Sequence, residues 1–416
     1  MDSLAHIAAP TGKRIALGVK PAAERALRQG HPWLFDHSIR RQSRNGRPGD
    51  LAVVFDAKDR FLAIGLYDPD SPIRVRVLHH GQPMTVDAMW FRARLSQAFA
   101  RRNPLLDGGT TGYRLLHGEN DGLPGIVLDR YGDSGVVRLD TAAWVPHLDQ
   151  VLSEALALAP LKNLVLRLSR RLQNHPETLH GLQDGQSLFG ALPAQPVLFS
   201  ENGLRFEADL VRGQKTGFFL DQRDNRATLE KLISQDGRLR QVLNVFAYTG
   251  AFSVYAARGG ASHLTNIDAS EVALAGAERN LVLNREQWAT PDVNHDAICG
   301  DAFSILADLA AAGRLYDVVV IDPPSFANKQ AQVPAAKSAY RHLVHLGLAV
   351  LRPNGLLVMS SCSSRIEAGD YFDLITRAAG EAGRPLLEVA RSGHPIDHPI
   401  GFPEGAYLKC LFARTP

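Results

Sequence analysis

The stretch "QVLNVFAYTGAFSVYAARGG", Gln241 to Gly260, decides the fold. A short apolar strand runs straight into a turn at Gly250, and a helix with small and apolar residues begins at once. Gly259 and Gly260 then end that helix, as glycines do when the chain must turn left-handed. Strand, glycine turn and helix in this order are the opening unit of a doubly wound α/β domain.

Downstream the same rhythm repeats. "ASHLTNID", "HDAICGD", "YDVVVID" and "NGLLVMSS" are short, nearly continuous apolar runs, as expected of parallel strands covered on both faces. "SEVALAGAERNLVLN", "AFSILADLAAAG" and "KSAYRHLVHLGLAVLRPN" lie between them and read as crossover helices. Ligands of such folds bind at the C-terminal ends of the strands. The chemistry is therefore expected at those ends.

Each strand end carries a polar residue. Asp268 in "NIDAS" follows Gly250 by eighteen positions, the spacing at which a carboxylate accepts from ribose hydroxyls. One glycine is not GxGxxG, so a pyrophosphate is disfavoured and a nucleoside without phosphates, such as S-adenosylmethionine, fits better. Asp301 in "CGDAFS" is placed to accept from an adenine amino group, although each acid alone also reads as a turn or capping residue. "VVVIDPPSFA" presents Asp322 on a turn stiffened by two prolines. Cys362 in "SSCSS" ends the fifth strand, with serine hydroxyls around it that can hydrogen-bond a thiolate.

Upstream the composition changes. "RIALGV" and "DLAVVFDAKDRFLAIGLYDPDSPIRVRVLHHG" read as short strands of a small β-barrel-like domain. "DAMWFRARLSQAFARRN" is an Arg-rich helix, and "GYRLLHGENDGLPGIVLDRYGD", "WVPHLDQVLSEALALAP" and "LKNLVLRLS" complete a middle α+β region. The expected boundaries are 1–85, 86–195 and 196–416. Residues 1–102 carry 17 Lys+Arg against 9 Asp+Glu, whereas the whole chain of 416 residues has a net charge of only +3. Arg outnumbers Lys about four to one, which suits phosphate contact and stacking on bases. A basic N-terminal part points to nucleic acid, with a solvated basic face as the plainer alternative.

The three cysteines, Cys299, Cys362 and Cys410, lie far apart without metal-ligand spacing, which excludes a disulfide framework and a cysteine zinc site. No run reaches the roughly 18 apolar residues of a membrane helix. "MDSLAHIAAPTGKR" lacks the order of a signal peptide, so the expected location is cytoplasmic.

"KTGFFLDQRDNR", "NVFAYTGAFSVYAA", "IDPPSFA", "SSCSS" and "DHPIGFPEGAYLK" together resemble the class I S-adenosylmethionine-dependent methyltransferases, specifically the 23S ribosomal RNA cytosine-5 enzymes of the ribosomal large-subunit methyltransferase I type. "HPWLF", "GDLAVVFD" and "SPIRVRVL" are similar to that family's PUA domain, an RNA-binding β-barrel, and "GENDGLPGIVLDRYGD" to its middle domain. The resemblance implies S-adenosylmethionine as cofactor and 23S ribosomal RNA as partner, with no membrane; a homodimer stays open beside a monomer. It implies that Gln222, Arg223, Phe246, Ala247, Tyr248, Gly250, Asp268, Asp301, Ala302 and Asp322 hold the cofactor, with Gln222 and Arg223 in a segment closing over it. Cys362 matches the nucleophile, and Asp322 is the candidate to protonate or hydrogen-bond the cytosine N3, for which its carboxyl must be held protonated. Asn244 departs from the pattern, standing where many class I enzymes carry an acid. For the proton on carbon 5, water, Asp322 and His398 remain alternatives. A guanine methyltransferase of the same RNA and a non-catalytic RNA-binding assembly factor are the competing readings.

Overall fold

The computed structural model describes residues 4–290 and 292–416; Met1 to Ser3 of the N-terminal stretch read above lie outside the described residues. Two compact units are formed. The first gathers residues 1–202, 208–220 and 396–405, and the second 203–207, 221–395 and 406–416.

In the first unit a six-stranded sheet has the order Trp33–Phe35, Ile73–His80, Phe61–Tyr67, Leu51–Phe55, Ile15–Val19, Ile39–Gln42. Ile15–Val19 runs parallel to Leu51–Phe55, while the other neighbours are antiparallel. Alternation in "IRVRVLHH" sends Val75 and Val77 into a core with Ile15, Leu17 and Val54. A five-stranded sheet follows, ordered Ser187–Phe189, Asn163–Leu168, Ser134–Leu139, Ile126–Tyr131, Gly112–His117. Helices Ala88–Ala100 and Leu148–Leu158 bury Phe91, Leu95, Val151 and Leu152 in the same core as this sheet. Asp87 starts the first of these helices by accepting from Trp90 N at 2.9 Å.

The segment 396–405 joins this unit through charge. Arg102, 1% exposed, meets Asp121 with Nη1 to Oδ1 at 3.0 Å and Nη2 to Oδ2 at 2.6 Å. Its remaining N–H groups go to the carbonyls of Ala98, Arg114 and Asp397 at 2.8, 2.9 and 2.9 Å. Asp397 in turn accepts from Arg114 N at 3.0 Å through Oδ2. A buried guanidinium surrounded by acceptors in this way recovers much of its desolvation cost.

The second unit is a seven-stranded sheet: β1 (Gln241–Val245), β2 (His263–Asp268), β3 (Asn294–Cys299), β4 (Tyr316–Ile321), β5 (Leu351–Ser361), β6 (Leu387–Ser392) and β7 (Lys409–Arg414). Its order is β3-β2-β1-β4-β5-β7-β6, with β1 to β5 parallel and β7 antiparallel to both neighbours. The helices are α1 (Arg223–Gln235), α2 (Ala251–Gly259), α3 (Glu271–Leu283), α4 (Ala302–Ala311), α5 (Val333–Ala349) and α6 (Ala368–Glu381). The five apolar runs read from the sequence become β1 to β5. β6 and β7 add two strands, and β7 alone runs in the reverse direction, lying antiparallel between β5 and β6. Strand order reverses between β1 and β4, the switch point where doubly wound sheets open a crevice. Among the described residues no helix is long and apolar enough to cross a membrane.

Candidate active site

All the cofactor-side residues named from the sequence fall within the second unit. β1 leads into a tight turn in which Phe246 (φ 60°), Tyr248 (φ 47°) and Gly250 (φ 70°) all adopt left-handed backbone. Such conformations are costly for residues with a Cβ and are kept where surrounding contacts enforce them. Here the enforcing contact is Asp268. Its Oδ2 accepts from Tyr248 N at 2.8 Å and its Oδ1 from Ser270 N at 2.9 Å, so the carboxylate ending β2 clamps the turn ending β1. Ala247 N adds a bond to the Ile267 carbonyl at 2.9 Å. A Cβ on Gly250 would lie 2.6 Å from the Ala277 Cβ, so only glycine lets α2 start this close to α3.

Asn244 lies beneath this turn, buried. Its Nδ2 donates to Ser253 Oγ and Asn266 Oδ1, both at 3.1 Å, and Ser253 Oγ reaches Asn266 Oδ1 at 2.5 Å. A neutral amide suits this position because it supplies donors to two neighbouring side chains. Asp301 caps α4, its Oδ1 accepting from Ser304 N at 2.9 Å and Ser304 Oγ at 3.1 Å. Ala302 is buried behind it.

The crevice side of β4 and β5 is tied together by Gln222. Its Nε2 donates to Asp322 Oδ1 and to Ser360 Oγ, each at 2.9 Å. Asn225 Nδ2 donates to Gln222 Oε1 and Ser392 Oγ to Asn225 Oδ1, which fixes the direction of both amides. The register that pairs Ile321 with Met359 brings Asp322 alongside Ser360, and Cys362 follows two residues on, half-buried. Arg223 is also buried, its Nε on Asp224 Oδ1 at 3.1 Å.

The serine hydroxyls expected around the thiol are engaged elsewhere. Ser360 Oγ accepts from Gln222, Ser361 Oγ bonds Tyr340 OH at 2.8 Å, and Ser363 Oγ donates to the Ala327 carbonyl at 3.2 Å. Ser364 is exposed. These bonds shape the strand end rather than solvate a sulfur anion. None of the three cysteines is disulfide-linked. Burial pushes the Cys410 thiol well up, with the Asp322 charge adding to it, so of the two thiols near this strand end Cys410 is the inert one. Burial likewise raises Tyr340 and Tyr371, and both feel Cys362 and Asp322 as further causes. His398 groups instead with the first unit, its ring 5.0 Å from that of His117 and its Nδ1 3.3 Å from Asp397 Oδ1.

Sequence reading missed Asn225, Tyr340, Tyr371 and Lys409 at this site. Lys409 alone carried a signal, a lone cation at the head of the apolar strand "KCLFAR". The tyrosines sit on the buried faces of α5 and α6 and look like core residues in sequence.

The groups gathered here suit an adenosine-bearing cofactor: a clamped carboxylate at the end of β2, a second at the head of α4, and a glycine turn between β1 and α2. Comparison with known proteins gives the same answer. Residues 184–414 match the family described as S-adenosylmethionine-dependent methyltransferase, and residues 17–80 match the PUA-like domain. A ribosomal RNA large subunit methyltransferase of Deinococcus radiodurans is 47% identical over 411 residues, covering 98% of each chain. Ribosomal RNA large subunit methyltransferase I of Pseudoalteromonas translucida is 36% identical over 404 residues, 96% of this chain and 99% of its own. A methyltransferase solved in complex with SAH matches the fold with TM-score 0.80 at 23% identity, over 96% of this chain and 99% of that one. With its cofactor crevice, its PUA-like domain and relatives matched from end to end, the chain belongs to the S-adenosylmethionine-dependent methyltransferases, in the family of the ribosomal RNA large-subunit enzymes.

Proposed function

We propose that the protein methylates carbon 5 of a cytosine in 23S ribosomal RNA through a covalent adduct with Cys362. The observation that carries this reading is the thiol itself, half-buried just beyond the end of β5, in the row of strand ends that also holds Asp322 and Asp268. Methyl transfer to an exocyclic or ring nitrogen has no need of a nucleophile there.

Carbon 5 of cytosine is a weak nucleophile. Addition of the Cys362 thiolate at carbon 6 makes carbon 5 enamine-like and able to accept a methyl group. S-adenosylmethionine supplies that group when bound. We assign its ribose to Asp268, its adenine to Asp301 and Ala302, and its remaining contacts to the Phe246 to Gly250 turn, Asp322 and the Gln222–Arg223 segment. Asp322 is also assigned to the cytosine ring at N3. To donate there, Asp322 must carry a proton on the carboxyl whose Oδ1 accepts from Gln222. After transfer, water or Asp322 takes the carbon-5 proton, the sulfur leaves as thiolate and N3 gives up the proton it received. The target base must leave its stack to reach the thiol. Residues 1–85 are assigned to RNA binding as a PUA-like domain, 86–195 to a middle domain and 196–416 to catalysis.

Nucleoside mass spectrometry of 23S RNA from a deletion strain tests the target. Loss of one 5-methylcytidine is expected, and loss of a methylguanosine instead would overturn the cytosine assignment. Cys362→Ala is expected to abolish methylation in vitro while binding of S-adenosylmethionine, followed by calorimetry, stays within about twofold. Retained turnover would falsify the covalent step.

A further inference from the structure

β7 brings a lysine to the segment that carries the thiol, one that the methyl-transfer chemistry does not by itself account for. Lys409 is the Cα partner of Ser361 across the β5–β7 ladder, and its side chain is buried, with 3% of the residue exposed. Its Nζ donates to the Ser363 carbonyl and, at 2.9 Å, to the Tyr407 carbonyl. Ser361 and Ser363 flank Cys362 in the chain. The lysine therefore engages the backbone on both sides of the thiol, by register on one and by hydrogen bond on the other. Among the described residues, no carboxylate is a hydrogen-bond or ion-pair partner of Lys409.

An ammonium buried among carbonyls is expensive unless an anion offsets it. Burial draws Lys409 down to about 8, and Cys362 is the group that opposes the fall. The other titratable groups around this spot come from five segments. Asp322 stands at the end of β4, Tyr340 reaches in from α5, Tyr371 from α6, and Cys410 is the next residue of β7. His394, from the segment after β6, accepts the N–H groups of Tyr407 and Leu408 at Nε2, at 3.3 and 3.0 Å, and so carries no proton on that nitrogen. Tyr340, Tyr371 and Cys410 are all raised, chiefly by burial, and are neutral near pH 7. Lys409 is the cation of this set.

We propose that the Lys409 ammonium holds Cys362 as its thiolate, making Lys409 a positioning residue for the nucleophile. The inference rests on Cys362 being the nucleophile. On ionisation the S–H bond breaks, its electron pair stays on sulfur and the proton leaves to water. The ammonium keeps its three protons, two of them directed to the Ser363 and Tyr407 carbonyls, and acts on the sulfur through its charge.

The test reads thiol ionisation without RNA. In the full chain carrying Cys299→Ser, which removes the exposed thiol, alkylation of Cys362 by iodoacetamide is followed against pH by peptide mass spectrometry. The rate is expected to rise with a midpoint below the ordinary thiol value of ~8.5. Lys409→Met should raise that midpoint, lowering the rate at pH 7 about tenfold for each pH unit by which the midpoint moves, while the high-pH plateau is kept. Lys409→Arg should restore reactivity near neutrality. A parent midpoint at or above ~8.5 overturns the proposal, and so does an unchanged midpoint in Lys409→Met. If Lys409→Met fails to fold, the parent profile decides alone. A low parent midpoint together with unaltered 5-methylcytidine in the deletion strain would reject the cytosine reading and leave the ion pair standing.

Discussion

Gln222 and Asp322 are 100 residues apart in the chain and 2.9 Å apart at the crevice, where the glutamine amide joins the ends of β4 and β5. The amide cannot turn over without losing the bond that Asn225 donates to its oxygen, so its donor face stays on Asp322 and Ser360.

Gln222→Ala therefore removes a donor shared by a carboxylate and a hydroxyl. The expected cost is about 1–3 kcal/mol in urea unfolding, the penalty for leaving such groups unmet in a buried site. Single-turnover methylation should slow as well, because the Asp322 carboxyl is no longer held. Gln222→Glu, which sets a second carboxylate beside Asp322, should slow it further.

At Gly250 the backbone and the neighbouring helix both reject a side chain. Gly250→Ala should lower stability by about 1–3 kcal/mol and weaken S-adenosylmethionine binding, since α2 must back away from Ala277 and drag the turn with it. Calorimetric titration checks the binding, and thermal unfolding the stability.

The Arg102–Asp121 pair makes a different prediction, confined to the first unit. Asp121→Ala should cost about 3–5 kcal/mol by stranding a buried guanidinium. Combining Asp121→Leu with Arg102→Met should recover much of that loss, and a double-mutant cycle in urea measures the coupling.

Lys409 also sets a pH dependence of stability. Its folded value of about 8 lies below its ordinary value near 10.5. Between those pH values the unfolded chain holds a proton that the folded chain has released, so this group makes stability rise as pH climbs from 8 towards 10.5. Lys409→Met lacks that increment. Urea midpoints of the two proteins, compared across this window, should diverge in favour of the parent chain with rising pH. Tyr340, Tyr371 and Cys410 act in the opposite sense but are present in both and largely cancel.

Legibility in the sequence followed burial. β1, β4 and the second half of β5 are buried almost throughout and announce themselves as apolar runs, whereas β3, at one edge of the sheet, is largely exposed. β6 has no such run: Leu387 is 70% exposed, because the strand lies at the edge of the sheet. β7 is short and opens with a lysine. Asp301 could be placed at a strand end from sequence, but not its bond to Ser304. The serines beside Cys362 were legible as hydroxyls, whereas their actual partners, Gln222, Tyr340 and Ala327, depend on contacts between distant segments. Lys409 lies far along the chain from Cys362 and comes opposite its neighbour Ser361 only through antiparallel register.

That register also orders events in synthesis. β7 sits between β5 and β6 yet is the last of the three to leave the ribosome. Until it arrives, the apolar margin of β5 from Leu356 to Ser361 is an open strand edge, and β6 has no neighbour of its own among the described residues. An exposed edge of this kind is where partly made chains stick to one another. The same closing step that seals it sets Lys409 opposite Ser361, so under the proposed ion pair a nascent chain carries an unarmed cysteine until its sheet is complete.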